Sequence, residues 1–123
     1  WYTDPGNLDI IEYQLEKDIL DWYARYKKPV FLTEYGADTI AGLHQDPPVM
    51  FTEEYQEEMI KRFNNVLDRL SFVIGEHVWC FADFVTKQGI IRVMGNRKGV
   101  FTRERYPKKV AFYLKERWES KKA

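Results

Sequence analysis

The sequence predicts an α/β fold in which helices and strands alternate in the order helix–strand–helix–strand–helix. Apolar residues recur at helical spacing in three segments, and two short apolar runs lie between these segments. Proline and glycine separate the periodic segments from the runs. Because strands joined through helices usually pair in parallel, we expect a parallel sheet with helices packed outside it.

The first helix is predicted to begin after Asn7, a residue suited to the N-cap. It follows the turn-forming residues 4–6, Asp-Pro-Gly. Its predicted apolar face consists of Leu8, Ile11, Leu15, Ile19, Trp22 and Tyr26. Basic residues near its end suit the negative end of the helix dipole, and Pro29 ends the helix.

The first strand is predicted over residues 30–36, where an apolar run lies between a proline and a glycine. Glu34 lies near the C-terminal end of this strand, where the catalytic side chains of (β/α)8 barrels sit. Tyr35 beside it could orient the carboxylate or donate a hydrogen bond to it. From the run alone, a strand-end carboxylate that only contacts solvent is the commoner case.

A loop over residues 36–51 leads to a second helix, with Thr52 as its N-cap and acidic residues in its first turn. The predicted apolar face of this helix is Tyr55, Met59, Phe63, Val66 and Leu70. The second strand is predicted over residues 77–84, and Asp83 lies near its end. A glycine-containing segment, 85–105, precedes a third helix predicted to begin at Pro107, with an apolar face of Val110, Leu114 and Trp118.

Two parallel strands do not make a complete domain, because a parallel sheet needs both faces covered and its edges paired. A full (β/α)8 barrel takes about 250 residues, and this chain has 123. We therefore expect residues 1–123 to be the C-terminal portion of a TIM barrel, with the last two strands and their helices. The alternative, a small three-layer domain, would expose two apolar sheet edges.

Composition excludes several classes of partner. Lysine plus arginine and aspartate plus glutamate number 19 each, so the net charge is zero, and a nucleic-acid partner is not expected. No apolar run approaches the length of a membrane span. The single cysteine, Cys80, lies in an apolar run and is expected to be reduced, which fits a cytoplasmic location. Because the first residue is Trp1, we expect the chain to be cut from a longer one.

Two groups of residues have the chemistry for a site. The first is Glu34 with Asp38 or Asp83, since glycoside hydrolysis uses a pair of carboxyl groups, although either aspartate is more often structural. The second contains Asn96 and Lys98, which flank one residue and would point the same way in an extended loop. An amide and an ammonium can hold a carboxylate. A solvated basic turn is the alternative.

Other candidates are weaker on sequence alone. Trp79 could stack on a sugar ring, although a tryptophan in a strand more often belongs to the core. His44 and His77 lie far apart and have no metal-ligand spacing around them, so no metal or other cofactor is predicted.

Four strings resemble the C-terminal barrel portion of family 2 glycoside hydrolases, in particular the β-glucuronidases among them. These strings are residues 33–44 (Thr-Glu-Tyr-Gly-Ala-Asp-Thr-Ile-Ala-Gly-Leu-His), 46–56 (Asp-Pro-Pro-Val-Met-Phe-Thr-Glu-Glu-Tyr-Gln), 78–84 (Val-Trp-Cys-Phe-Ala-Asp-Phe) and 95–103 (Gly-Asn-Arg-Lys-Gly-Val-Phe-Thr-Arg). They occur in the family's order and are far more specific than a single short motif.

The resemblance implies a retaining hydrolase that acts on β-D-glucuronides, with Glu34 as the nucleophile on the seventh barrel strand. It implies that Asn96 and Lys98 bind the carboxylate of the glucuronate. It also places Arg92, Trp79 and Tyr2 around the sugar, and it leaves Asp38 with a structural role.

The resemblance also implies that the site is incomplete in this chain. The family's acid/base glutamate follows an asparagine on the fourth strand and lies outside these residues, as do the N-terminal sandwich domains. We expect the chain to assemble with the rest of the barrel, and the full-length enzyme to form a homo-oligomer. The alternatives are a family 2 hydrolase for another sugar, such as a β-galactosidase or galacturonidase, and an inactive barrel fragment that acts only in assembly.

Overall fold

A computed structural model describes residues 7–92 and 94–121 of the chain. The elements are a 3-10 turn at Leu8–Ile10, helix α1 at Ile11–Tyr26, strand β1 at Val30–Tyr35, helix α2 at Glu53–Arg69, strand β2 at Val73–Val78 and helix α3 at Lys109–Ser120. The two strands pair in parallel. The predicted α/β order and the parallel pairing are confirmed. Within the described residues, no helix has the length and apolar character that a bilayer crossing requires.

The predicted position of the second strand was wrong. The strand spans Val73–Val78 rather than residues 77–84. The apolar residues after it leave the sheet, and their backbone pairs with the segment around residues 96–101 instead. For example, the Val100 N–H donates to the Cys80 carbonyl (2.8 Å) and the Phe101 N–H to the Phe81 carbonyl (2.9 Å). Hydrophobicity alone therefore did not indicate which segment the backbone of this apolar run would pair with.

The helices cover one face of the sheet and bury most of the predicted apolar positions. Val66 and Val110 are fully buried, and so is Ile60, which was not among the predicted positions. The ends of the predicted faces behave differently, since Trp22 and Trp118 are 60% and 51% exposed. We use the name helix layer for α1, α2 and α3 together with the sheet face on which they pack.

A β-bulge decides which side chains of β1 face the helices. Leu32 pairs with Glu76 and Tyr35 with Val78, so three steps along β1 match two along β2. The extra residue changes the alternation of side chains between the two faces. As a result Leu32 and Tyr35 both pack into the helix layer, while Glu34 between them is exposed.

The opposite face of the sheet has no helix against it among the described residues. Phe31 and Ile74 are 41% and 67% exposed there, and the Phe31 ring contacts His77 edge-on with 4.8 Å between ring centroids. The sheet is open, with two strands in the described residues. Large apolar side chains on an uncovered sheet face are the expected arrangement for the inner wall of a barrel seen in part.

Candidate active site

Three segments meet beyond the C-terminal ends of the strands: residues 36–39, 79–84 and 95–101. We call them the loop end. The Trp79 N–H donates to the Tyr35 carbonyl (2.7 Å), the Thr39 N–H to the Arg97 carbonyl (2.9 Å) and the Cys80 N–H to the Lys98 carbonyl (3.2 Å). Each segment is therefore bonded to another through its backbone. This is the end of a parallel sheet at which barrel enzymes carry their catalytic groups.

Two glycines allow these close approaches. A Cβ on Gly36 would lie 2.1 Å from the Trp79 carbonyl oxygen, and one on Gly99 would lie 2.2 Å from the Asp83 nitrogen. Both neighbours are backbone atoms, which cannot move aside without displacing a whole segment. Glycine at these positions is thus required by packing.

A cleft of about 490 Å³ opens at the loop end. Its lining residues come from the end of β1, from the loop between β1 and α2, and from the segments after β2: Glu34, Asp38, Met50, Phe51, Trp79, Ile90, Ile91, Arg92 and Lys98. The cleft therefore brings together four residues predicted for the site from the sequence: Glu34, Trp79, Arg92 and Lys98.

Lys98 provides a poorly hydrated cation in this cleft. It is 5% exposed, and burial lowers the pKa of its ammonium below the ordinary lysine value of 10.5. The negative charges of Asp38 and Glu34 act in the opposite direction on that pKa, and Arg92 adds to the lowering. The ammonium thus interacts electrostatically with the carboxylate of Glu34, which lines the same cleft. Its low hydration strengthens its attraction for an anion.

Asn96 does not line the cleft. It is 4% exposed, and its side-chain oxygen accepts a hydrogen bond from the Lys98 N–H at 3.0 Å. This short turn fixes the backbone of the residue that does reach the cleft. The two side chains predicted to point the same way are therefore coupled through the backbone.

Asp38 connects the two loops that flank the cleft. One carboxylate oxygen accepts from the Arg97 N–H (2.9 Å) and the other from the Arg92 guanidinium (3.3 Å). Asp38 is 8% exposed and Arg92 is half-buried. These contacts orient the guanidinium along the wall of the cleft, which fits the structural role that the resemblance implied for Asp38.

Trp79 keeps an exposed indole face on the cleft. The side chain is 38% exposed, and Phe84 contacts it edge-on at 6.0 Å between ring centroids. The Trp79 N–H is bonded to the residue that follows Glu34, which holds the ring close to the strand end. Within the described residues, Trp79 is therefore not wholly buried as a core tryptophan would be.

Two sequence-based suggestions fail. Tyr35 does not contact Glu34 through its hydroxyl, which accepts a hydrogen bond from the Asn64 amide (2.8 Å) in the helix layer. Asp83 does not line the cleft, since it is 4% exposed and forms an ion pair with Lys108 at 2.8 Å. The bulge explains Tyr35, and the departure of residues 79–84 from the sheet explains Asp83. Tyr2 lies outside the described residues.

Sequence reasoning missed two residues that hold the loop end together. The Gln56 amide, from α2, donates to the carbonyls of Ala37 (3.2 Å) and Gly99 (3.1 Å). Lys108 is fully buried and donates to three loop-end acceptors. A lysine at a helix N-cap is unfavourable for the dipole, and that misplacement is the signal in the sequence that could have pointed to Lys108.

The chain is similar to known proteins of one family. The family model described as "Glycosyl hydrolases family 2, TIM barrel domain" matches residues 1–123. β-Glucuronidases of Paenibacillus borealis and Homo sapiens are 65% and 52% identical to this chain, over 118 and 120 residues, and each alignment covers 96% of the chain.

Solved structures give the same result. The β-D-glucuronidase of Dictyoglomus thermophilum matches with a TM-score of 0.94 and 68% identity over 97% of this chain. A Bifidobacterium dentium β-glucuronidase complexed with coumarin-3-O-glucuronide matches with a TM-score of 0.90 and 50% identity over 97% of the chain. The chain spans only 18–21% of the length of these four relatives.

Proposed function

Because this chain belongs to the TIM-barrel domain of glycosyl hydrolase family 2, we propose that it forms part of a retaining β-glucuronidase. The substrate would be a glycoside with a terminal β-D-glucuronic acid. The support is twofold: the relatives at 50–68% identity are β-glucuronidases, one of them solved with a glucuronide bound, and the cleft has the charges that such a substrate needs.

The observation that carries the proposal is that Glu34 and Lys98, 64 positions apart in the chain, line the same cleft. A glucuronide presents one carboxylate and one anomeric carbon to its enzyme. A buried ammonium can hold the carboxylate through a charge-assisted hydrogen bond. A strand-end carboxylate in the same cleft can then attack the anomeric carbon.

The reaction requires a second carboxyl group, about 5–5.5 Å from the first in retaining enzymes. Glu34 would attack the anomeric carbon and form an ester bond to it, while the glycosidic bond breaks and the aglycone oxygen takes a proton from the acid/base carboxyl group. That group would then remove a proton from water, which cleaves the ester and releases glucuronic acid. We place the acid/base glutamate in another part of the barrel.

The other site residues would shape the sugar subsite. Asn96 lies behind the cleft lining and its side-chain oxygen is engaged by the Lys98 backbone, so a direct contact with the substrate carboxylate would have to come from its NH₂ group. Trp79 would offer its indole face to the sugar ring. Arg92, oriented by Asp38, would add positive charge, and Tyr2 is proposed near the nucleophile on the resemblance alone.

The chain would work only as part of a larger assembly. We propose that β1 and β2 are the last two strands of the barrel, which the exposed inner face around Phe31 and Ile74 supports. Its partners would be the remaining barrel strands, the N-terminal sandwich domains and, in the complete enzyme, further copies of the same protein. We also propose a cytoplasmic location, on the ground that Cys80 is a free cysteine.

A substrate comparison tests this function. The whole protein should hydrolyse 4-nitrophenyl β-D-glucuronide with a kcat/KM far above that for the β-D-galactoside and the β-D-galacturonide. The isolated 123-residue chain should hydrolyse none of the three and should regain activity only with the rest of the barrel. A preference for the galactoside or galacturonide would identify a family 2 enzyme of different specificity. No activity in the whole protein would favour a role in assembly alone.

A further inference from the structure

Lys108 lies at the N-cap of α3, but its side chain takes no part in capping the helix. The α3 N-terminus is satisfied by Glu53 of α2, whose carboxylate accepts from the Lys109 N–H at 2.5 Å. The Lys108 side chain instead runs inward and is fully buried. Burying an ammonium costs free energy unless every donor finds a partner, so its contacts require an explanation beyond the helix.

The Lys108 ammonium has three N–H groups, and three acceptors surround it. They are the Thr39 carbonyl (3.0 Å), the Arg97 carbonyl (2.9 Å) and the Asp83 carboxylate (2.8 Å). Each acceptor lies in a different segment of the loop end. One buried cation therefore joins the segments that follow β1 and β2 to the segment that contains Lys98.

The same contacts fix the backbone on both sides of Lys98. The Arg97 carbonyl, just before it, accepts from Lys108, and the Gly99 N–H, just after it, donates to Asp83 (2.9 Å). Lys108 and Asp83 are themselves an ion pair with side chains at most 3% exposed. Lys108 is absent from the cleft lining, so it acts on the cleft only through these neighbours.

We propose that Lys108 is a positioning residue for carboxylate recognition: with Asp83, it clamps residues 97–99 from beneath and thereby sets where the Lys98 ammonium meets the substrate. This inference rests on the proposed function. Removing the clamp should leave the attacking group on β1 in place, because Glu34 belongs to a different element. The loss should therefore fall on the recognition of the acidic group.

Lys108→Met in the whole protein tests the proposal, because methionine fills similar space without a donor. We expect the ratio of kcat/KM for the β-glucuronide to kcat/KM for the matching β-glucoside to fall about tenfold, the size expected for one lost charged hydrogen bond. A purely structural lysine would lower both values equally and leave the ratio unchanged. Lys109→Met is the matched control, since that side chain pairs with Glu54 and Glu57 at the surface, and it should leave the ratio unchanged.

A second variant covers the case in which Lys108→Met does not fold because the buried Asp83 loses its shorter ion pair and keeps only the 3.4 Å ion pair with Arg97. Lys108→Met with Asp83→Asn removes both charges and keeps an oxygen that can accept from the Gly99 N–H. This double variant should fold and should show the same fall in the ratio. A folded double variant with the wild-type ratio would overturn the proposal.

Hydrogen exchange separates this inference from the proposed function. In the folded variants the amides of residues 97–99 should exchange faster than in the wild type, whichever sugar the enzyme prefers. Unchanged exchange there would overturn the clamp. A wild type with no preference for glucuronides over glucosides would instead overturn the proposed function, and the exchange data would still decide whether Lys108 holds the loop.

Discussion

The helix layer and the loop end both contain fully buried side chains, but the interactions that mainly hold these side chains differ between the two regions. In the helix layer, fully buried Ile60 and Val110 pack against other apolar side chains. At the loop end, the buried residues include Asp83, Asn96 and Lys108, which are held by hydrogen bonds and charge pairs. Apolar packing tolerates similar shapes, whereas a buried charge network fails when one partner is lost. Stability should therefore depend mainly on the first region, and function on the second.

The largest expected effect belongs to the cleft beside the loop end, at the end of β1, and leaves stability almost unchanged. Glu34→Gln keeps the shape of the side chain and removes its nucleophilic oxygen, so kcat on a β-glucuronide should fall by at least about 10⁴-fold. Glu34 is exposed at the cleft, so the unfolding midpoint should stay within about 1 °C of the wild type. Steady-state kinetics and thermal unfolding of the whole protein measure the two quantities.

The control for Glu34→Gln is Glu104→Gln, a change at an exposed carboxylate in the turn before α3. It should leave kcat at the wild-type value. Near-normal turnover in the Glu34 variant would show that another group is the nucleophile.

The opposite pattern is expected for the helix layer. Ile60 is fully buried against Tyr35, Val110 and Leu114, so Ile60→Ala should lower the free energy of unfolding by about 2–5 kcal/mol. Ile60→Val, which removes a single methylene, should cost about 1 kcal/mol. Denaturant unfolding measures both values.

At a temperature where both Ile60 variants remain folded, the glucuronide-to-glucoside ratio of kcat/KM should equal that of the wild type. A changed ratio would mean that packing in the helix layer reaches the cleft, and the division between the two regions would have to be abandoned.

The same division explains what could be predicted from the sequence. The helices follow from apolar spacing, and Thr52 caps α2 as expected. Asn7 caps the 3-10 turn that precedes α1 rather than α1 itself. Strand β1 lies where Pro29 and Gly36 bound an apolar run. The position of β2 could not be predicted, because its centre, Gly75–Glu76, is not apolar while the run after it is.

The faces to which the β1 side chains point could not be predicted from the sequence pattern either. An alternating strand would place Tyr35 and Leu32 on opposite faces, and only the register shift reveals that both face the helices. The buried network around Lys108 depends on contacts between segments far apart in the chain, up to 69 positions for Thr39. No local spacing encodes such contacts. Glu34, Asn96 and Lys98 were candidates from their chemistry and spacing, and the resemblance of the surrounding strings to a family assigned their roles.

A smaller effect is expected for the cation in the cleft. Lys98→Met should lower kcat/KM for a β-glucuronide by about 100-fold, because a buried charge partner is lost, and should leave the value for a β-glucoside nearly unchanged. Lys87→Met, at an exposed lysine on the preceding segment, is the matched control and should change neither value. Equal losses on both substrates would show that Lys98 supports the loop rather than the carboxylate.

The smallest expected effect is a shift in the pH dependence of kcat/KM for the glucuronide. This shift distinguishes an effect on substrate binding from an effect on stability. Burial lowers the pKa of Lys98 below 10.5, so its ammonium loses its proton at a lower pH than an exposed lysine would. kcat/KM for the glucuronide should therefore decline on the alkaline side before kcat/KM for the glucoside does. Burial favours the neutral amine over the ammonium, so the protonated form of Lys98 lowers the free energy of unfolding. Raising the pH through its folded pKa removes that cost, and the deprotonation of Lys98 does not destabilise the fold.

The alkaline decline should thus occur while unfolding experiments still report a folded protein. In Lys98→Arg the cation persists to higher pH because the guanidinium does not deprotonate in this range, so whatever glucuronide preference the variant retains should no longer decline. Superimposable profiles for the two substrates in the wild type would contradict a role for the Lys98 ammonium in binding. They would leave it as one more charge in the network that holds the loop end together.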